Sequence, residues 1–546
     1  MQYIVPFIVA MVLAMAWLPL LAKFAAKWGI LDQPDVRKVH AAPIPRIGGL
    51  AMALAVLVAA LIGIDLQPQD RWFLIAAGVL VAFGALDDRF NLDYRIKFLG
   101  QLLAVGMVVL LGDVQVRSIT LDDRLLLPGW ISLPLTIFFL VGITNAVNLA
   151  DGLDGLAGGT TFLCLCAVAL LSSVGDHNAG TALCLAFAGA ILGFLRFNTY
   201  PATVFMGDAG SQLLGFTIGV LSIRATQSLA TQVSAAIPIL LLAIPILDTL
   251  SVMVQRIGEG RSPFSPDKNH IHHKLLALGF GHHEAVMVIY TVQAALFVAA
   301  YYLRYESDLT ILAFVTTFFA VSITAMQLAA RSGWRLHRAG AAVESPLSRM
   351  AAVLRQPRLL PRYAYLAIVA ALIAYGAIIV LRTAALNDDI RVLIVALFVL
   401  SVVLLLILRA GPLHPIEKAT LYVAATVLVY LDALVLPPPA HSISILTWSA
   451  VSLAGVATAV RLRLHRDRRF QVTPLDLIVL FMALVVPSLT RTFNLPHDGA
   501  LTIAKLVILF YAIEVLLSRV EGRALWLRLA VASTLAGLAL RSSMSF

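Results

Sequence analysis

The stretch "ISLPLTIFFLVGITNAVNLADGLDGLAGG", Ile131 to Gly159, changes character halfway along. It begins as an apolar run and then, from Asn145, packs in two asparagines, two aspartates and four glycines before the next apolar run, "TFLCLCAVALLSSV", begins. Apolar runs of roughly 17 to 22 residues recur along the whole chain, each long enough as a helix to cross about 30 Å of hydrocarbon. About eighteen such runs can be read. Of the 546 residues, 60% are hydrophobic and 13% charged, whereas about a quarter are charged in an ordinary globular domain. The expected fold is all-α: a polytopic transmembrane helical bundle, with the polar cluster at a membrane boundary.

The first run, "YIVPFIVAMVLAMAWLPLLA", has no basic residue ahead of it; Lys23 and Lys27 follow it. A secretory signal carries positive charge in front of its apolar region. The expectation is a retained first helix whose N-terminus faces away from the cytoplasm. Cys164, Cys166 and Cys184 all lie in apolar runs and read as small core residues, not as a disulfide framework or metal site. The net charge of +10 is concentrated in alternate loops: Lys23 to Arg46, Arg89 to Lys97, Arg256 to Lys274, "RSGWRLHRAG" onward to Arg362, and "RLRLHRDRR". The intervening loops, such as "NDDI" and "PPPAHS", are poor in basic residues. This is the positive-inside pattern, and it argues against a nucleic-acid partner.

The richest polar loops fall within the first 280 residues. A basic stretch rich in Pro, Ser and Gly, from Arg331 to Arg362, reads as a linker at an anionic membrane leaflet. We place a boundary near residue 340, dividing a core of 1–340 with about 11 helices from a region of 341–546 with about 7 more.

Four segments on the basic-loop side hold more acidic, amide, glycine and histidine residues than a connector needs. "GALDDRFNLDYRIKF" places Asp87 and Asp88 at one helix end and Lys97 at the start of the next. In the opening stretch, Asp151 and Asp154 lie three residues apart and would share a face on a helical turn. "FMGDAGSQLLGF" sets Asp208 between glycines, which suit close approach of backbone N–H groups to an anion. "RSPFSPDKNHIHHKL" carries His270, His272 and His273 in a basic loop. Each has a plainer reading: a solvated aspartate pair, a helix N-cap at Asp208, a zinc site at the histidines, or an Asp248 that merely pairs with Arg256. No cysteine is near the histidines, and Arg261, Lys268 and Lys274 would repel a cation there. Aspartates suit Mg²⁺ completed by phosphate oxygens, and cationic side chains suit a diphosphate. Both on one membrane face point to phosphoryl transfer.

Five elements in order, "LDQPDVRKVHAAPIPRIGG", "DDRFNLDYRIKF", "NAVNLADGLDGLAGG", "FMGDAGS" and "SPFSPDKNHIHHKL", resemble those of the polyprenyl-phosphate N-acetylhexosamine-1-phosphate transferases. The resemblance covers roughly residues 1 to 330. It implies transfer of a sugar 1-phosphate from a UDP-N-acetylhexosamine to undecaprenyl phosphate, with release of UMP and with Mg²⁺ or Mn²⁺ as cofactor. The reaction would start a lipid-linked envelope glycan at the cytoplasmic face of a bacterial inner membrane, among membrane lipids. A homodimer is left open.

By the same resemblance, Asp208 would ligate the metal, and Asp87 and Asp88 would stand at the metal and the lipid phosphate. Asn145, Asn148, Asp151 and Asp154 would line the nucleotide and metal pocket. His270, His272 and His273, with Arg261, would contact the sugar-nucleotide phosphates. Lys97, Lys38, His40 and Arg46 would contact phosphate or uridine. The histidine segment looks like the branch acting on UDP-N-acetylglucosamine. Nothing in the resemblance covers residues 341–546.

A lipid phosphate monoester, with a second pKa near about 6, is mostly dianionic at neutral pH. It needs charge neutralisation more than a base, since each like-charge pair at about 4 Å costs roughly 4 kcal/mol at an effective dielectric of 20. The expected step is direct attack, with an aspartyl-phosphate route as its rival. The competing class is a transporter or flippase, whose charged sites lie near the bilayer midplane.

Overall fold

The computed structural model describes residues 3–33, 42–121, 123–173, 178–227, 232–262, 269–336, 359–383, 386, 388–407, 415–432, 441–464, 497–517 and 524–543. It is helical almost throughout. Seven of the described helices are long and apolar enough to cross a membrane, fewer than the apolar runs read from the sequence. The described residues divide into two compact units, those up to residue 336 and those from residue 359 onward.

The helices of the first unit are α1 (Ile4–Trp28), α2 (Gly48–Gly63), α3 (Pro68–Phe90), α4 (Tyr94–Leu110), α5 (Gly129–Ala150), α6 (Leu156–Ser173), α7 (Asn178–Asn198) and α8 (Gly207–Gln227). They are followed by α9 (Ile237–Leu241), α10 (Ala243–Gly258), α11 (Ile271–Ala277), α12 (His282–Tyr302) and α13 (Asp308–Arg331). Pro238 and Pro245 lie in the first turns of α9 and α10. That position tolerates proline, because the missing N–H has no helical partner there anyway. Two short antiparallel pairs are the strands found: β1 (Leu31–Asp32) with β2 (Ile44–Pro45), and β3 (Ser118–Thr120) with β4 (Arg124–Leu126).

α6 and α8 are buried along nearly their whole length and form the centre of the unit. All three cysteines are free and buried, as small core residues should be. α3 and α8 run antiparallel. At one end Asp70, fully buried, pairs with Arg224 at 2.7 Å. A lone carboxylate there would be costly, and pairing compensates it. On the same face Gln227 binds the β3–β4 hairpin through the Ser118 backbone at 3.0 and 3.2 Å. The buried Asp308 accepts from Thr120 N–H at 2.6 Å, Ala236 N–H at 2.9 Å and the Ser234 hydroxyl. These polar ties seal the end opposite the acidic loops.

The second unit contains α14 (Leu359–Arg382), α15 (Asp388–Ile407), α16 (Pro415–Tyr430), α17 (His441–Leu464), α18 (His497–Leu517) and α19 (Ala524–Ser543). Tyr375, Ile394, Leu431, Val451, Leu509 and Leu535 lie in its apolar core. Asp432, just past α16, accepts from Arg382 on α14, from Lys505 on α18 at 2.6 Å and from the Tyr375 hydroxyl at 3.3 Å. One buried carboxylate thereby joins three helices.

Candidate active site

The site is assembled by glycines. A Cβ on Gly49 of α2 would lie 2.2 Å from the Gly210 nitrogen, and one on Gly84 of α3 would lie 2.4 Å from Ala209 Cα. Only hydrogen at both positions lets α2 and α3 bring their backbones onto the first turn of α8, the small-residue packing typical of membrane helices. The loop before α8 is fixed as well. Gly48 N–H donates to Phe205 O at 3.0 Å, Gly49 N–H to Met206 O at 2.9 Å, and Phe205 N–H to Pro45 O at 2.8 Å.

One turn beyond Gly84 stands Asp88. Its two carboxylate oxygens accept the N–H groups of Asp208 (2.9 Å) and Ala209 (3.1 Å). An aspartate from α3 therefore does for α8 what an N-cap residue normally does from within the chain. Gly207, with φ +70°, makes room for it: a Cβ there would lie 2.3 Å from Asp88 Oδ2. The two glycines flanking Asp208 in the sequence thus serve helix packing and this cap. Asp88 is in place to hold Asp208.

Asp87 faces the other way. Its Oδ1 accepts Leu92 N–H at 2.8 Å, and its Oδ2 lies 2.5 Å from Lys97 Nζ. The same ammonium reaches Asp208 Oδ2 at 3.2 Å. Asn148 Nδ2 donates to Asp208 Oδ1 at 2.9 Å and to Ser211 Oγ at 2.7 Å. Asp87, Lys97, Asn148 and Asp208 therefore meet from α3, α4, α5 and α8. Asn145 belongs to a deeper layer. Its amide donates to Gln101 Oε1 at 2.8 Å, and Gln101 Nε2 donates to Gln212 Oε1 at 3.1 Å. Sequence reasoning missed both glutamines. The available signal was their position, since Gln101 lies four residues after Lys97 and Gln212 four after Asp208, on the same helix faces.

Asp151 and Asp154 do not share a helical turn as expected: α5 ends at Ala150 and α6 begins at Leu156, and both lie in the non-helical turn between them. Asp154 Oδ2 accepts Ala202 N–H at 2.9 Å. Gly155, at φ +81°, donates its N–H to Asn198 Oδ1 at 2.9 Å, and its carbonyl accepts the Tyr290 hydroxyl at 2.5 Å. Tyr290→Phe removes one of the two hydrogen bonds to that carbonyl, which also accepts Gly159 N–H at 2.9 Å, and is expected to cost about 1 kcal/mol. Thermal unfolding of the detergent-solubilised protein reads this, and an unchanged Tm contradicts it.

Asp151 is pushed up to about 7 by burial and then by the negative charges of Asp208, Asp154 and Asp88. A carboxyl raised from 3.8 keeps its proton longer in the folded chain, so its stabilising contribution is lost as pH climbs from about 4 to about 7. In chelator, Tm is expected to fall over that window, and Asp151→Asn to flatten the fall. A level wild-type profile contradicts this.

His270 and His272 are buried, and their rings lie parallel, 5.7 Å apart; His273 is 4.2 Å from His272. A Cβ on Gly152 would lie 2.2 Å from His272 Cε1, so the histidine ring rests directly on the aspartate turn. Burial, followed by the charge of His273, drives His272 down to about 4, which keeps it neutral at pH 7. Asp248 reaches His270 Nδ1 at 2.8 Å and accepts Ile271 N–H at 2.6 Å, contacts that the reading of a simple pair with Arg256 did not include.

Arg46 pairs with Asp32 and comes within 4.0 Å of Asp88. Arg261 is exposed on the turn after α10 and pairs with Glu259 at 2.9 Å. Lys38, His40 and Lys268 lie outside the described residues.

Among the described residues, no three His, Cys, Asp or Glu side chains form a ready-made metal cage. Mg²⁺ does not need one: it commonly takes one or two carboxylates and completes its shell with water and substrate phosphates. Asp208, whose side chain is 34% exposed, and Asp87 beside it on the shared Lys97 are a donor set of that kind. The crowding that raises Asp151 likewise favours a cation here.

Fold and site together define a multi-pass helical membrane protein with a carboxylate, lysine and amide centre at the ends of its helices. The model of the family described as glycosyl transferase family 4 matches residues 71–226. A probable undecaprenyl-phosphate N-acetylglucosaminyl 1-phosphate transferase of Bacillus subtilis is 39% identical over 294 residues, which is 53% of this chain and 82% of that protein. A decaprenyl-phosphate N-acetylglucosaminephosphotransferase of Mycolicibacterium smegmatis is 36% identical, covering 51% of this chain and 75% of the relative. The undecaprenyl-phosphate alpha-N-acetylglucosaminyl 1-phosphate transferase of Escherichia coli K12 is 34% identical, covering 50% and 76%. The chain belongs to glycosyl transferase family 4.

Proposed function

We propose that the protein transfers N-acetylglucosamine 1-phosphate from its UDP-sugar to undecaprenyl phosphate, at the cytoplasmic face of a bacterial inner membrane. The observation that carries this is the convergence of Asp87, Asp208, Lys97 and Asn148, with Asp88 holding Asp208 in place. A lipid-phosphate oxygen attacks the phosphorus that bears the sugar. The bond from that phosphorus to the bridging oxygen breaks, and UMP leaves with the electron pair. Lys97 supplies fixed positive charge against the carboxylates and the incoming phosphates, and the histidine row stands on the donor side. Mg²⁺, held by Asp208 and Asp87, would neutralise phosphate charge when bound. The carboxylates gather at helix ends, where a water-soluble nucleotide and a lipid headgroup can meet. A transporter would instead place them near the midplane.

The test is UMP release by purified protein in detergent with undecaprenyl phosphate, Mg²⁺ and a panel of UDP-sugars. Release is expected with UDP-N-acetylglucosamine, to vanish on addition of EDTA and to return with excess Mg²⁺. Release that survives complete chelation would remove the metal from the proposal. Absence of release with every sugar, in folded protein, would remove the transferase.

A further inference from the structure

Asp248 lies in an apolar helix, α10, and only 4% of its surface is exposed. A charge in such a place needs compensation on each oxygen. Oδ1 receives it from Ile271 N–H at 2.6 Å, capping the first turn of α11. Capping occupies that oxygen alone. Oδ2 is spent on a side chain 22 residues away, the Nδ1 of His270, at 2.8 Å. Accepting the Nδ1 proton fixes the tautomer and the plane of the ring, leaving Nε2 as the nitrogen available to a ligand. His270 in turn stacks on His272, and His272 lies against Gly152 in the aspartate turn. A small cavity of about 30 Å³ beside this row is lined by Asp248, Ile271, His272, Thr160 and Ile289. The carboxylate, the imidazole row and the turn carrying Asp151 thus form one continuous contact chain.

We propose that Asp248 is a positioning residue: its carboxylate holds His270 in the Nδ1–H form and sets the histidine row against the aspartate turn, so that Nε2 meets the diphosphate of the sugar nucleotide. The assignment rests on the transferase reading for the identity of the ligand, but not for the Asp248–His270 link itself. The partners that orient metal-ligating histidines are typically worth 10- to 100-fold, and an imidazole that must meet a diphosphate depends on its orientation in the same way.

Two measurements test it. The first is solid-state ¹⁵N NMR of histidine-labelled full-length protein in proteoliposomes, with the His270 signal assigned by its loss in His270→Gln. A protonated Nδ1 is expected in the wild type, and loss of that state in Asp248→Asn, a variant that keeps an acceptor for Ile271 N–H. An unaltered His270 signal in Asp248→Asn overturns the proposal. The second is kinetic. Asp248→Asn is expected to lower kcat/KM for the UDP-sugar by about 10- to 100-fold, and to change it less than about twofold when introduced into His270→Gln. Equal losses in both backgrounds would mean that Asp248 acts only by capping α11, and would overturn the proposal. A wild type that releases no UMP refutes the transferase reading instead, while the NMR result still decides the link.

Discussion

Asp208→Asn is expected to lower UMP release by at least about 1,000-fold, roughly 4 kcal/mol in the barrier, with the protein still folded. The size follows from what meets at this one side chain. Its Oδ1 takes the Asn148 amide at 2.9 Å and its Oδ2 the Lys97 ammonium at 3.2 Å. It is also the more open of the two carboxylates that Lys97 bridges, 34% exposed against 2% for Asp87. An amide in its place keeps the volume but turns one acceptor into a donor facing the ammonium, and it removes the charge a metal needs. The backbone hold by Asp88 does not depend on the side chain, so the fold is expected to survive. Measured Tm within a few degrees of wild type, together with lost activity, supports this. Retention of more than a tenth of the activity would place the reacting phosphates elsewhere.

Gly84→Ala is expected to cost about 3 kcal/mol of stability and most of the activity. The added carbon would sit 2.4 Å from Ala209 Cα and 2.6 Å from its nitrogen. Those are backbone atoms of a buried helix and have no rotamer to retreat into. α3 and α8 must move apart, and Asp88, one turn further on, is drawn away from the N–H groups it caps. Gly78, on the same helix, provides the control, because nothing lies within 4 Å of a Cβ there. Gly78→Ala is expected to be neutral or slightly stabilising, since alanine is the better helix former. Thermal unfolding and UMP release on the two variants decide the matter. Equal behaviour would mean that the α3–α8 contact yields more easily than its geometry implies.

The helical membrane class was legible in composition and apolar run length alone. The chemical residue types of the site were legible too, because aspartates and asparagines bordering long apolar runs have few other uses. What each does locally was not. Asp87 and Asp88 are neighbours in sequence, yet one faces Lys97 and the other caps a helix that begins about 120 residues later. Adjacent residues on a helix point about 100° apart, so a shared motif gives no warning of separate tasks. Gly49 and Gly84 carry no chemistry of their own, and what requires them is the backbone of α8 packed against them. Gln101, Gln212, Tyr290 and Asp248 are ordinary core polar residues until their partners are known, and those partners lie 22 to 135 residues away in the chain. The partner of Asp70 was equally hidden, since Arg224 sits at the far end of a different helix.

That last pair, taken with Asp88, has a mechanical consequence. α3 is latched to α8 at both extremities: Asp70 on Arg224 at one end, Asp88 on the first amides of α8 at the other. The two helices cannot slip lengthwise past each other without undoing both latches at once. A bilayer that thins or thickens around the protein must therefore be met by tilting the pair as one rigid strut, and the distance from Asp208 to its neighbours on α3 stays constant while the strut leans.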